Sequence, residues 1–184
     1  MRAPIGDFDH ATPAPDCLDE LTRPVADAVR QWSGSVPAEQ IVYVDTNPEW
    51  ADTSVFLEHY GKDLLDRSAN CVVVAGKRGG ETTLAACVVL SGTRVDVNGA
   101  VRRRLGARKA SFAPMEVATG ETGMEYGGIT PLGLPGSWPV LVDSSVVDLP
   151  CVLVGSGRRR GKLLVPGKAF AELANAVVLE GLGI

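Results

Sequence analysis

Apolar positions change period several times along the chain, and each change marks an element. Leu18, Leu21, Val25, Ala28, Val29 and Trp32 recur at spacings of three and four. That pattern predicts a helix capped by Asp16 and kinked or divided at Pro24. Ile41, Val42, Tyr43 and Val44 predict a short strand within residues 40–45, and a short helix is expected over 53–60 with Asp52 or Thr53 as its cap. Residues 70–75 and 82–90, rich in Val, Cys and Ala, read as strands joined at Gly76-Lys77-Arg78-Gly79-Gly80. A helix over 97–105 should be capped by Asp96 and stopped by Gly106, and another should begin at Pro114. Residues 127–135 form a Gly- and Pro-rich loop, 140–143, 151–154 and 162–165 are expected strands, and a last helix is expected over 168–175.

Short strands mixed with short helices predict an α+β fold around a curved mixed sheet. Residues 1–15 show no period and are expected to form a flexible arm, leaving 16–184 as a single domain without internal repeats.

Composition narrows the class. Hydrophobic residues make up 45% and charged residues 22%, as in ordinary globular chains. The longest apolar run, 84–90, falls far short of the roughly 18 residues a membrane helix needs, so no membrane partner is expected. Residues 1–17 hold Asp7, Asp9 and Asp16 without an apolar core, unlike a signal peptide, and the cytoplasm is the expected compartment. Cys17, Cys71, Cys87 and Cys151 show no CxxC pairing and fit reduced, mostly buried thiols.

Net charge is −4, but residues 1–81 carry 7 Lys/Arg against 14 Asp/Glu, and residues 82–184 carry 11 against 8. This balance argues against DNA coating and leaves room for a local nucleic-acid contact. Two basic clusters stand out: Arg102-Arg103-Arg104 with Arg108 and Lys109, and Arg158-Arg159-Arg160 with Lys162. They are either solvated faces or phosphate contacts. With only ten aromatic residues, sequence-specific reading of single strands is not expected.

Catalytic chemistry is constrained by scarcity. His10 and His59 are the only histidines, and neither HExxH, a Cys/His zinc spacing nor a GxSxG elbow is present. No metal site is expected. Gly155-Ser156-Gly157-Arg158-Arg159-Arg160-Gly161-Lys162 fails as a phosphate loop, because Leu163 stands where Ser or Thr would bind magnesium and the segment leads into a strand. The Gly127-Gly128-Ile129-Thr130-Pro131-Leu132-Gly133 segment is either a simple turn or a place where backbone amides approach a ligand.

Leu105-Gly106-Ala107-Arg108-Lys109-Ala110-Ser111-Phe112-Ala113, Glu116, Thr122-Gly123, the Gly127–Gly133 segment, Val140-Leu141-Val142-Asp143 and the Gly157-Arg158-Arg159 turn follow one another. In that order they resemble the YbaK/EbsC family of aminoacyl-tRNA deacylases, domains also associated with prolyl-tRNA synthetases. The resemblance covers about residues 40–184. It implies a closed, barrel-like, largely antiparallel sheet with peripheral helices, and hydrolysis of the ester on the 3′ end of a mischarged tRNA without metal or organic cofactor. The partners it implies are the aminoacyl-tRNA 3′ end and an aminoacyl-tRNA synthetase.

By the same resemblance, Gly128 offers its N–H to the aminoacyl carbonyl and Asp143 lies near the pocket. Gly127, Thr130 and Pro131 shape the loop, while Gly155, Ser156 and Gly157 line one wall. From their charge rather than from the resemblance, Arg102, Arg103, Arg104, Arg158 and Arg159 are the expected contacts to the tRNA backbone. The family places a Lys, usually followed by Thr or Ser, where this chain has Asn70 and Cys71. A neutral amide stabilises negative charge less than an ammonium does. Two functions are therefore expected in competition: a deacylase, and a catalytically weak or inactive module that binds tRNA or its aminoacyl end.

Overall fold

Strands buried on both faces read as unbroken apolar runs, because neither face needs polar side chains. This is the logic of the two sheets in the computed structural model, which describes residues 1–184. Strand β1 (Ala11–Pro13), β2 (Val42–Val44), β7 (Val152–Gly155) and β8 (Lys162–Val165) form an antiparallel sheet in the order β1-β2-β8-β7. Val42, Val44, Leu153 and Leu164 face one buried cluster, while Tyr43, Val152, Val154, Leu163 and Val165 face another. Strands β3 (Ala69–Arg78), β4 (Glu81–Leu90), β5 (Lys109–Phe112), β6 (Val140–Asp143) and β9 (Ala176–Leu179) form the second sheet, ordered β5-β3-β4-β6-β9. Its β3–β4 and β3–β5 pairs are antiparallel; β4–β6 and β6–β9 are parallel.

The fold is thus α+β with largely antiparallel, mixed sheets, but no single sheet closes into a barrel. The sheets meet through one isolated bridge, Ser68 to Leu153. Strand β5 pairs with β3 only from Val74 to Lys77. The outer edge of β3 over residues 69–73 is left without a strand partner, and the gap there becomes the candidate site.

Helices α1 (Arg23–Arg30), α2 (Thr53–Tyr60), α3 (Arg102–Arg104), α4 (Met115–Thr122) and α5 (Ser144–Val147) lie around the sheets. Asp52 caps α2 by accepting the Ser54 N–H at 3.0 Å. Asp96 caps the wide turn Val97–Val101 that leads into α3, accepting from Gly99 and Ala100. The β3–β4 hairpin turns on Gly79 and Gly80, both at positive φ (59° and 85°), the backbone a two-residue hairpin needs.

Three expectations are corrected. Residues 1–15 are not a loose arm: Ala11–Pro13 pairs with β2, and Ile5 and Ala11 are buried beside Tyr60 and Leu64. The partner edge of β2 lies thirty residues away, out of reach of any local period. The helix expected from Asp16 is broken into 3₁₀ turns at Ala14–Asp16 and Leu18–Glu20, and α1 begins only at Arg23. Leu21 and Thr22 are extended, and Pro24 sits in the first turn of α1, where its missing N–H costs nothing. The last expected helix is a 3₁₀ turn, Gly167–Glu172, before β9.

Candidate active site

A cleft of about 570 Å3 opens along the free edge of β3, between the two sheets. Asn70 and Cys71 from β3, Leu153 and Gly155 from β7, Gly127 and Ile129 from the loop after α4, and Arg159 and Lys162 all line it. Phe56 from α2 and Ala118 from α4 close its sides. Its charged lining consists of Arg159 and Lys162 alone; no carboxylate or imidazole reaches it.

Two glycine segments build the floor by backbone interlock. The Gly157 N–H donates to the Gly128 carbonyl at 2.8 Å, and the Glu125 N–H donates to the Gly157 carbonyl at 2.8 Å. A side chain on Gly128 would run into the Arg158 backbone, and one on Gly155 would run into the Gly128 and Ile129 carbonyls. Gly157 holds φ at 88° against Thr22, beyond the cleft lining. These bonds bring the loop after α4 and the β7–β8 turn together.

Several individual roles shift. The Gly128 N–H is spent on the Glu125 carbonyl at 2.9 Å, so Gly128 serves packing rather than carbonyl binding. The amides of Gly127 and Ile129, both in the cleft lining, donate to no protein acceptor. Asp143 lies outside the cleft: one oxygen accepts from the Ser145 backbone at 2.9 Å, capping α5, and the other accepts from the Gly183 N–H at 2.8 Å. Burial alone would raise its carboxyl, but the donors from Gly183, Ser145 and Leu182 outweigh it and hold the group below the usual carboxylate range. Ser156 is fully buried and faces the carbonyls of Arg158, Arg160 and Gly161, holding its own turn. Thr130 and Pro131 are buried behind the loop and do not line the cleft.

The consecutive arginines separate by function. Arg158 donates to the Asp19 carbonyl at 2.9 Å, and Arg160 grips Asp45 through two bonds of 2.7 and 2.6 Å. Only Arg159 turns to the cleft. His59 stacks on Trp50 at 3.7 Å, outside the cleft lining.

The profile of the aminoacyl-tRNA editing domain matches residues 48–173, more than half of the chain. The protein belongs to the aminoacyl-tRNA editing domain family. No curated protein matches the sequence. Among solved structures, one described as a "putative trans-editing enzyme for prolyl tRNA synthetase" shares the fold at TM-score 0.68 and 19% identity, over 86% of this chain and 94% of that one. Another, described as hypothetical protein APE2540, aligns at TM-score 0.63 and 19% identity, over 76% and 89%.

In this editing domain Cys71 is no ready nucleophile, because burial and then the neighbouring Cys87 push its thiol well above the usual range. With no base in the lining, the cleft can position an ester and stabilise negative charge, but it cannot take a proton by a carboxylate or imidazole. Lys162 is the residue that spacing arguments missed. It reads as one more charge in a basic turn, yet its Nζ lies 3.5 Å from the Gly127 carbonyl inside the cleft. Strand alternation counted back from the apolar Leu163 and Leu164 could have flagged it.

Arg102, Arg103 and Arg104 are exposed and make no ion pair. Arg102 joins Lys77, Arg108 and Lys109 around a second groove of about 380 Å3 at the far end of β3 and β5. Arg103 and Arg104 stand outside that groove. No helix is long and apolar enough to cross a membrane.

Proposed function

We propose that the protein hydrolyses the ester that joins a wrong amino acid to the 3′ end of a tRNA. The observation that carries this reading is the cleft itself: an editing-domain chain presents two cations, two unpaired loop amides and no carboxylate around one space. At about 570 Å3, it lies within the roughly 300–1,000 Å3 that holds a small ligand such as a terminal adenosine with its amino acid. An acid-free, cationic lining favours the phosphate that precedes the adenosine and the oxyanion that forms during hydrolysis.

Water adds to the ester carbonyl carbon, the carbonyl oxygen becomes an oxyanion held by loop amides and a cation, and the ribose oxygen leaves. With no side-chain base in the lining, the free ribose hydroxyl beside the ester relays the proton from water to the leaving oxygen. The apolar walls sort amino acids by size, at about 10–200-fold per methylene. The Lys77, Arg102, Arg108 and Lys109 groove takes the tRNA backbone.

Asn70 favours a second reading, a module that binds the aminoacyl end without turnover, because a neutral amide stands in the cleft where the resembling family carries Lys. A panel of mischarged tRNAs incubated with the protein separates the two. Amino acid released above the buffer rate supports hydrolysis; tight binding without release supports the module.

A further inference from the structure

Lys162 begins β8 and pairs with Gly155 of β7 and Val44 of β2. Residues paired across strands share a face, so Lys162 stands on the same face as Leu153, Leu164 and Val44. That face is otherwise apolar, packed against Leu64 and Tyr60. Gly155 beside it carries no side chain, and the Gly128–Ile129 backbone lies directly over Gly155. The Lys162 side chain reaches the same loop, where its ammonium meets the Gly127 carbonyl. One weak acceptor at 3.5 Å leaves further N–H bonds of the ammonium unspent.

The ammonium has no acid partner, since no carboxylate lines the cleft and Lys162 forms no ion pair. Asp45, next to Val44, is already held by Arg160. An unneutralised cation kept part-buried in a cleft whose lining loop also carries two unpaired amides is costly for stability, and a cation so placed can stabilise a developing anion. Arg159, the other cation, is exposed at the rim, where water screens it.

On the deacylation reading above, we propose that Lys162 is a catalytic residue: its Nζ, with the amides of Gly127 and Ile129, binds the oxyanion formed on the aminoacyl carbonyl. As water adds, the C=O electron pair moves onto oxygen beside Nζ. As the pair returns, the C–O bond to the ribose breaks and the proton from water goes to the ribose oxygen. Lys162 keeps its proton throughout and acts by charge. Asn70, in the same cleft but neutral, does not carry that role.

The charge itself gives a signature. Burial lowers the Lys162 ammonium below the ordinary lysine range, so the charge is lost at a lower pH than that of a free lysine. The other titratable or charged groups facing the cleft are Arg159, Cys71 and Tyr126. Activity corrected for buffer hydrolysis should fall as pH rises through the Lys162 value, with Tyr126→Phe and Cys71→Ser leaving that fall in place.

The test uses the full chain with whichever mischarged tRNA it hydrolyses. Lys162→Met should lower kcat at least about 30-fold with KM changed less than about threefold, the pattern of a lost oxyanion donor. Lys162→Arg, which keeps the charge, should recover most of that loss and move the alkaline fall to higher pH. Both variants should unfold cooperatively, as read by circular dichroism. Wild-type turnover with an unchanged kcat in Lys162→Met overturns the role of Lys162 and leaves deacylation standing. So does an alkaline fall that stays at the same pH in Lys162→Arg. If the wild type hydrolyses no mischarged tRNA, the deacylation reading and the role of Lys162 both fall.

Discussion

The Gly128 carbonyl accepts the Gly157 N–H at 2.8 Å, and this bond locks the loop after α4 onto the β7–β8 turn. Everything that makes the cleft chemically interesting hangs from that lock. The cleft-lining Gly127 and Ile129 flank Gly128, while Arg159 and Lys162 follow Gly157. The approach is so close that neither Gly128 nor Gly155 has room for a methyl group.

Gly155→Ala should therefore destabilise the fold by about 1–3 kcal/mol through overpacking, since rigid backbone carbonyls would have to move. Gly136→Ala, where open space surrounds the site, is the control and should change little. Denaturant unfolding of both variants checks this, and equal midpoints would show that the two segments do not press on each other.

Asp143 should matter for stability and its pH dependence. Its folded carboxyl titrates below its unfolded value, so its contribution is present at neutral pH and is lost as pH falls through the folded value. Asp143→Asn should flatten the acid side of the stability curve below about pH 4. Asp143→Ala should cost about 1–2 kcal/mol through the lost α5 cap. Unfolding midpoints measured between pH 3 and 7 decide it; identical acid limbs in Asp143→Asn and wild type would count against the assignment.

Arg159 and Arg160 are neighbours with different expected effects. Arg159→Ala should raise KM for a mischarged tRNA severalfold, because it removes a rim cation from the cleft. Arg160→Ala breaks only an exposed pair with Asp45 and should leave stability nearly unchanged and shift KM by less than about twofold. Steady-state kinetics on the two variants separate these outcomes, and equal KM values would remove Arg159 from substrate binding.

Arg102 and Arg108 share a groove that Arg103 and Arg104 do not enter. If the groove follows a tRNA backbone, each lost phosphate contact should reduce the log–log salt slope by about 0.7. Arg102→Ala with Arg108→Ala should then flatten the slope by about 1.4, and Arg103→Ala with Arg104→Ala by much less. Binding titrations from low to moderate salt measure this. Equal slopes for the two pairs would place the backbone elsewhere.

What the amino-acid sequence determined by itself was local. The Asp52 cap of α2, the Gly79-Gly80 hairpin, the Gly106 stop after α3 and the strands at 140–143 and 162–165 all follow from turn chemistry and short-range periodicity. The order of motifs around Gly127 and Gly157 carried the family. Pairing between distant segments decided the rest. Strand β1 exists because β2 offers an edge, although residues 11–13 show no strand period. Asp143, adjacent in order to the motifs of the site, is drawn away from it by Ser145 and Gly183, forty residues further on. Lys162 looks like part of a charge run until its register opposite Gly155 turns it inward. A local pattern specifies which way a chain bends. Which side chain faces a cleft depends on what covers the other face of the strand, and only the packed sheets supply that.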